Sequence, residues 1–399
     1  MPDEKPESGK LTRRELLKVA LFGAGSITLG SALGCSPEAP EEVPGTSPDV
    51  SQPIPGASQR GWYQPKPYIW FKEIGNNSVR CTLCPQACEL EDGERSLCRV
   101  RENRDGVGYT LSHGNPTLVQ EDPIERAPFY HVMPASRVLS LSTVGCNLAC
   151  HFCEVWDMAL VAPEEVHAYH MPPEEIIAHA QAAGVSAIGY AFGEPVVFYE
   201  YMLDIARLAH QNGLLNLVHS AGYIEPEPLR ALCPYIDAAN IDLKGFEPAF
   251  YRDLVGGELD PVLRTLEILQ EEDVHTEITH LVIPTINDDR DVFREMCNWI
   301  LDTLGPDIPL HLSRFYPLYK LSALPRTPVS TLDETRQIAQ DVGLKFVYVA
   351  KVVGHEGENT FCPNCGEEII RRLGFVVDVL EMVDGQCQFC GTAIPGKWA

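Results

Sequence analysis

The 399 residues carry a formal charge of −25 and are 45% hydrophobic. A chain of this length and apolar content builds one large domain plus smaller ones, so bulk disorder is excluded. So acidic a composition leaves little for the Lys/Arg-rich face that nonspecific phosphate binding needs, and nucleic acid is disfavoured as a partner. Fourteen cysteines are too many for packing alone, and eleven of them fall into three tight clusters, which points to metal or cluster ligation rather than disulfides. Cys233 and Cys297 stand alone in apolar stretches and read as core.

The N-terminus, Leu11-Thr-Arg-Arg-Glu-Leu-Leu-Lys18, precedes an apolar Gly/Ser-rich run that stops at Cys35. Residues 1–35 read as an export signal whose Arg13-Arg14 pair suggests the twin-arginine route. Ala32-Leu33-Gly34-Cys35 resembles a lipoprotein cleavage box; the alternative is an anchor or signal with a chance cysteine. Residues 36–60, rich in Pro, Ser and Glu, read as a flexible tether. The expectation is a protein tethered to the outer face of the cytoplasmic membrane through its N-terminal anchor, with a cytoplasmic location as the alternative.

Residues 61–135 read as a Cys-rich module. Cys81, Cys84 and Cys88, with Cys98 following, suggest a metal clip holding zinc or a second iron–sulfur cluster, against reduced or disulfide-paired cysteines.

From about residue 136 to 353, short β-branched or apolar runs alternate with amphipathic stretches, the pattern of βα units and a parallel sheet. The expected strands are Val138–Ser142, Ala187–Ala191, Leu214–Val218, Ala238–Ile241, Thr276–Ile283, Leu310–Leu312 and Phe346–Val349. Helices are expected at Pro173–Ala183, Tyr199–Asn212, Pro226–Leu232, Pro261–Gln270 and Asp291–Leu304. The fold class is therefore α/β, a full or partial (β/α) TIM-type barrel, with chemistry at the C-terminal ends of its strands.

The first of these strands runs into Cys146, Cys150 and Cys153, a C-x3-C-x2-C loop. Three soft thiolates so close in sequence suit three irons of a [4Fe–4S] cluster and leave the fourth iron free to chelate S-adenosylmethionine (SAM). The alternative is structural zinc with His151, His167 or His170 as fourth ligand. The spacing, with Phe152 before the third cysteine, resembles the radical SAM superfamily.

Later strand ends carry Phe192-Gly-Glu-Pro195, His219-Ser-Ala-Gly-Tyr223 and Asp242-Leu-Lys244. Gly193 permits close backbone approach to a ligand, and Asp242 and Lys244 point the same way and could hold a zwitterion or a ribose. The alternatives are a turn and a rim salt bridge. Arg314 and Tyr316 either reach substrate or SAM carboxylate, or pack on the barrel rim. In residues 354–399, Cys362, Cys365, Cys387 and Cys390 form two knuckles that read as a zinc ribbon, with a rubredoxin-like iron as rival.

Several segments together resemble the radical SAM enzyme of the AmmeMemoRadiSam system, a group similar to pyruvate formate-lyase activating enzymes. They are Cys-Thr-Leu-Cys-Pro at 81, Gly-Cys-Asn-Leu-Ala-Cys-His-Phe-Cys at 145, Gly-Glu-Pro-Val-Val-Phe-Tyr-Glu-Tyr at 193, Ala-Asn-Ile-Asp-Leu-Lys at 239, Ser-Arg-Phe-Tyr-Pro at 313 and Thr-Phe-Cys-Pro-Asn-Cys-Gly at 360. The resemblance implies that Cys146, Cys150 and Cys153 bind the [4Fe–4S] cluster and that the Phe152 backbone meets adenine. It further implies that Gly193 and Glu194 meet the methionyl amine, and that Asp242 and Lys244 lie near the SAM carboxylate. The chain departs from the group in having Gly193 and Ala221-Gly222 where members tend to show Asn and Asn-Gly.

The expected function is reductive SAM cleavage to a 5′-deoxyadenosyl radical that abstracts hydrogen from a substrate. A flavodoxin- or ferredoxin-like reductant is the expected partner, with a protein substrate or a Memo-like protein beside it. The alternatives are a glycyl-radical activase and a membrane-tethered iron–sulfur electron carrier without catalysis.

Overall fold

The computed structural model describes residues 65–398, which belong to the second of two units of the chain, 44–399. The expected signal and tether lie outside the described residues. Among the described residues, no helix is long and apolar enough to cross a membrane.

Eight strands in sequential order form one sheet: β1 Leu118–Pro123, β2 Arg137–Ser142, β3 Ala187–Tyr190, β4 Leu215–Ser220, β5 Ala238–Asp242, β6 His275–Val282, β7 Leu310–Arg314 and β8 Val347–Ala350. β2 to β8 are parallel and β1 runs antiparallel to β2. Their sequences are near-continuous apolar runs because the parallel sheet is covered on both faces; β3 is buried along its whole length. The barrel is partial, since β1 and β8 are the two free edges of the sheet.

The crossover helices are α1 Pro173–Ala183, α2 Tyr199–Gln211, α3 Pro226–Leu232, α4 Asp260–Glu271, α5 Arg290–Leu304 and α6 Val329–Val342. Sequence chemistry sets their ends. α1 starts with Pro173 and two glutamates in its first turn and stops at Gly184 in the left-handed region (φ 64°). α5 is capped by the Asp289 carboxylate, which accepts from the N–H groups of Asp291 and Val292. Its buried stripe of Phe293, Met296, Cys297, Ile300 and Leu304 has helical spacing, and Cys297 packs there as core, as Cys233 does elsewhere.

The N-terminal module consists of two small antiparallel sheets, one of Phe71–Gly75, Ser78–Cys81 and Glu89–Leu90, the other of Lys66–Pro67, Arg101–Arg104 and Val107–Thr110. A buried ion pair ties it to α2: Arg101 Nη2 donates to Glu200 Oε2 at 2.7 Å and Nη1 to Oε1 at 3.2 Å.

At the other end, β9 Glu368–Leu373 and β10 Val376–Leu380 form a hairpin in the C-terminal module. This module packs where the sheet is open, its Cys362, Ile370 and Ile394 sharing a core with Tyr130, from the β1–β2 connection, and Tyr348 of β8. The Arg372 guanidinium lies 4.1 Å from the Tyr130 ring centroid and donates to the Tyr130 carbonyl (2.8 Å) and to Thr360 Oγ1 (2.8 Å). The module thus joins the edge strand β8 to the β1–β2 connection.

Candidate active site

A cavity of about 510 Å³ opens at the C-terminal ends of the parallel strands, where chemistry is expected in such sheets. Cys146, Cys150 and Cys153 line one wall. Their loop is held from below: Ala149 and His151 donate backbone N–H groups to the carbonyls of Val255 (2.8 Å) and Leu254 (2.9 Å). None of the three is in a disulfide, and burial pushes their thiols up, Cys153 to about 12. Thiolates so buried need cationic partners, which the irons of a cluster supply.

Sulfur spacing separates a cluster from a single metal here. Among the described residues, one set of three or more metal-ligating side chains closes to within 4.8 Å, and it is Cys362, Cys365, Cys387 and Cys390. Their Sγ atoms stand 3.6 Å apart for Cys362–Cys390 and 3.8 Å for Cys365–Cys387. A tetrahedral ion with metal–sulfur bonds of about 2.3 Å needs sulfurs about 3.8 Å apart, so this set fits one metal ion. The Cys146 triad stays wider, and no histidine joins it to make a mononuclear set. Its donor set fits a polynuclear cluster in which each thiolate takes its own iron.

Phe152, Gly193, Glu194, Asp242 and Lys244 line the same cavity, so the structure brings all five together with the three cysteines. Lys244 Nζ donates to Asp242 Oδ2 at 2.7 Å, and His219 Nε2 lies 3.0 Å from Asp242 Oδ1. Burial works against the Asp242 carboxylate, but Lys244 and His219 more than reverse it and hold the acid well below its usual range. Burial likewise disfavours the Lys244 ammonium, and Asp242 and Cys150 more than offset it. The result is a fixed dipole beside Cys150.

Glu194 plays a different part from a free acceptor. Its Oε1 accepts from Ser220 Oγ (2.6 Å) and Val196 N–H (3.0 Å), and its Oε2 from Ala221 N–H (2.9 Å). The carboxylate therefore clamps the loop after β3 to the loop after β4. Gly193 makes its close approach to the chain itself, because a Cβ there would stand 2.3 Å from Ser142 Oγ. Arg314 and Tyr316 do not line the cavity; they donate to the backbone carbonyls of Thr327 (2.8 Å) and Lys351 (3.3 Å) and pack the rim loops.

Two constellations escaped the sequence. On the floor, His311 Nε2 lies 2.6 Å from Glu277 Oε2, and the Glu277 carboxylate also accepts from the Tyr130 and His131 N–H groups. Burial raises the Glu277 pKa, while His275 and His311 more than compensate and keep it ionised. At the mouth, Lys351 Nζ pairs with Glu154 at 2.6 Å, and Leu373, Gly374 and Phe375 of the C-terminal hairpin complete the wall. The one visible signal for the floor was a charged Glu277 on the same face of β6 as Thr279 and Leu281.

Residues 140–297 match the radical SAM superfamily. The chain is 40% identical over 328 residues to an uncharacterized protein of Methanocaldococcus jannaschii, covering 82% of this chain and 98% of that one. It is 24% identical over 161 residues to the pyruvate formate-lyase-activating enzyme of Clostridium pasteurianum, covering 39% and 66% of the two. Among solved structures, a radical SAM methyltransferase from Sphaerobacter thermophilus covers 58% of this chain and 71% of its own, at 18% identity and a TM-score of 0.44. With the cysteine triad, the parallel sheet and the cavity at its carboxyl ends, the chain belongs to the radical SAM superfamily, and it is a radical SAM enzyme.

Proposed function

We propose that this enzyme makes a 5′-deoxyadenosyl radical in the 510 Å³ cavity and uses it to take a hydrogen atom from a substrate bound above the cysteine triad. A [4Fe–4S] cluster bound at Cys146, Cys150 and Cys153 would supply the electron that breaks the carbon–sulfur bond of SAM. The protein's own part is binding and exclusion. The Asp242–Lys244 pair offers complementary charges to the amino-acid end of SAM, and the Glu194 clamp fixes the two loops beside it. The enclosing walls keep water from a reactive radical.

The observation that carries this reading is the meeting of the triad and the Asp242–Lys244 pair on one cavity wall. A carrier that only passes electrons needs no such cavity. Anaerobic reconstitution with iron, sulfide, SAM and dithionite should yield 5′-deoxyadenosine, and the Cys146→Ala/Cys150→Ala/Cys153→Ala variant should yield none. Turnover by that variant, or no SAM binding by the reconstituted protein, overturns the reading.

The segments at 81, 145, 193, 239, 313 and 360 support assignment to the AmmeMemoRadiSam system, where a protein-bound substrate and a Memo-like partner go with the chemistry. The likeness to activating enzymes supports glycyl-radical activation as second reading. A glycine-centred radical on an added partner, seen by electron paramagnetic resonance, favours the second; co-purification of a Memo-like protein favours the first. For the C-terminal set we propose zinc in a folding role, since four thiolates leave no open position. The leader supports export, which fractionation of the natural chain against Arg13→Lys/Arg14→Lys tests.

A further inference from the structure

Cys81, Cys84, Cys88 and Cys98 line a single small cavity in the N-terminal module. Three of the four are buried, and none is disulfide-bonded. Four free thiols facing one space are a ligand set, and its spacing decides what it holds. The set does not close to the 4.8 Å that the C-terminal cysteines reach, so it is too open for one tetrahedral ion. It shares that openness with the Cys146 triad.

A second feature of the cavity wall points the same way. Arg101 is 1% exposed, and both its Nη atoms are taken by Glu200, yet its buried Nε has no partner. A buried guanidinium donor left unpaired is costly unless it faces something absent from the bare protein. Arg101 lines the same cavity as Cys81, Cys84, Cys88 and Cys98, so the guanidinium stands against the four thiols rather than away from them. Four thiolates on an iron–sulfur core leave a net negative charge and accepting sulfurs; Glu200 already balances the guanidinium, so what Arg101 offers such a core is its free Nε–H donor. Asn147, next to Cys146, lines the cavity as well.

We infer that Cys81, Cys84, Cys88 and Cys98 ligate a second iron–sulfur cluster, with the Arg101 Nε–H as a buried donor toward it, set directly against the loop that carries the first. The contact between the two loops is a backbone one. Gly145, in the left-handed region at φ 95°, lies so close to the Cys98 carbonyl that a Cβ would stand 2.6 Å from that oxygen. Cys98 and Cys146 are thus on touching segments, and Gln86 Nε2 ties the module to the Asn147 carbonyl at 2.9 Å.

The inference is independent of SAM cleavage, and its test reads metal rather than turnover. The full-length Cys146→Ala/Cys150→Ala/Cys153→Ala variant, reconstituted anaerobically, should keep iron and acid-labile sulfide in equal amounts, and a visible absorption band that dithionite bleaches. Cys81→Ala/Cys98→Ala should lose that component and keep the one belonging to the triad. In the reduced natural protein the two paramagnets should broaden each other's resonance signals, and each variant should remove the broadening. A triple variant that holds no iron, or that binds about two zinc ions per chain, one at each four-thiolate set, overturns the inference.

Discussion

Glu194 shows how a residue next to a site serves by holding other residues. Its carboxylate spends its acceptors on Ser220, Ala221 and Val196, so the loops after β3 and β4 have one fixed spacing. Glu194→Gln puts an amide N–H₂ where an acceptor is needed, and the buried N–H of Ala221 or Val196 loses its partner. The expected cost is about 1–3 kcal/mol, with SAM affinity falling at least tenfold. Thermal unfolding and equilibrium dialysis of SAM check this, and wild-type affinity in the variant would make the clamp irrelevant. Gly193→Ala drives a Cβ against Ser142 Oγ and Thr143 O, and should cost about 1–3 kcal/mol without removing any ligand group. Urea unfolding measures it. At this scale the cysteines were legible because ligand chemistry fixes their sequence spacing. The Asp242–Lys244 pair was legible because strand period 2 fixes direction. The tasks of Glu194 and Gly193 were not, because both depend on partners 26 and 51 residues away.

Most elements could be read from periodicity: α1 and α3 end where the sequence places them, and the parallel strands differ by a residue or two at their ends. β1 escaped because Leu-Val-Gln-Glu-Asp-Pro has neither a buried run nor clean alternation, and only pairing with β2 makes it a strand. α6 escaped because its stripe of Leu332, Thr335, Ile338 and Ala339 carries only two large apolar side chains. What no single element shows is the seam where the β1–β2 connection, β8 and the C-terminal module meet. His131 sits in it, fully buried, with Nδ1–H toward the Pro395 carbonyl (2.6 Å) and Nε2 accepting from Tyr348 (2.6 Å). Burial is the main cause that lowers its pKa from 6.5 to about 3. The folded state therefore binds fewer protons than the unfolded one between those values. Stability from the neutral ring is complete above pH 6.5 and falls as pH drops toward 3, by at most about 1.4 kcal/mol per pH unit. His131→Phe should flatten this dependence between pH 6.5 and 5. A melting temperature that falls as steeply in the variant as in the natural protein would assign the acid sensitivity elsewhere.

At the scale of the molecule, an open sheet of eight strands has to keep a radical-generating cavity closed without closing itself into a ring. The C-terminal module does the closing: its four cysteines are spaced to hold one metal ion, Arg372 anchors it on Tyr130, and its hairpin tip at Leu373–Phe375 walls the cavity. A small four-thiolate module draws much of its folding energy from the ion, so loss of the ion should travel into the barrel along these contacts. Cys365 and Cys390 are the exposed pair of the set, and Cys365→Ser/Cys390→Ser removes ligands without cutting into the apolar core. The expected result is faster hydrogen exchange in β9 and β10, and also in residues 128–133 and in β8, which lean on the module. The α2 helix, packed on the far strands, should exchange as before. Exchange that rises only within residues 360–391 would mean that the seam holds without the module, and that the barrel's closure belongs to the sheet alone.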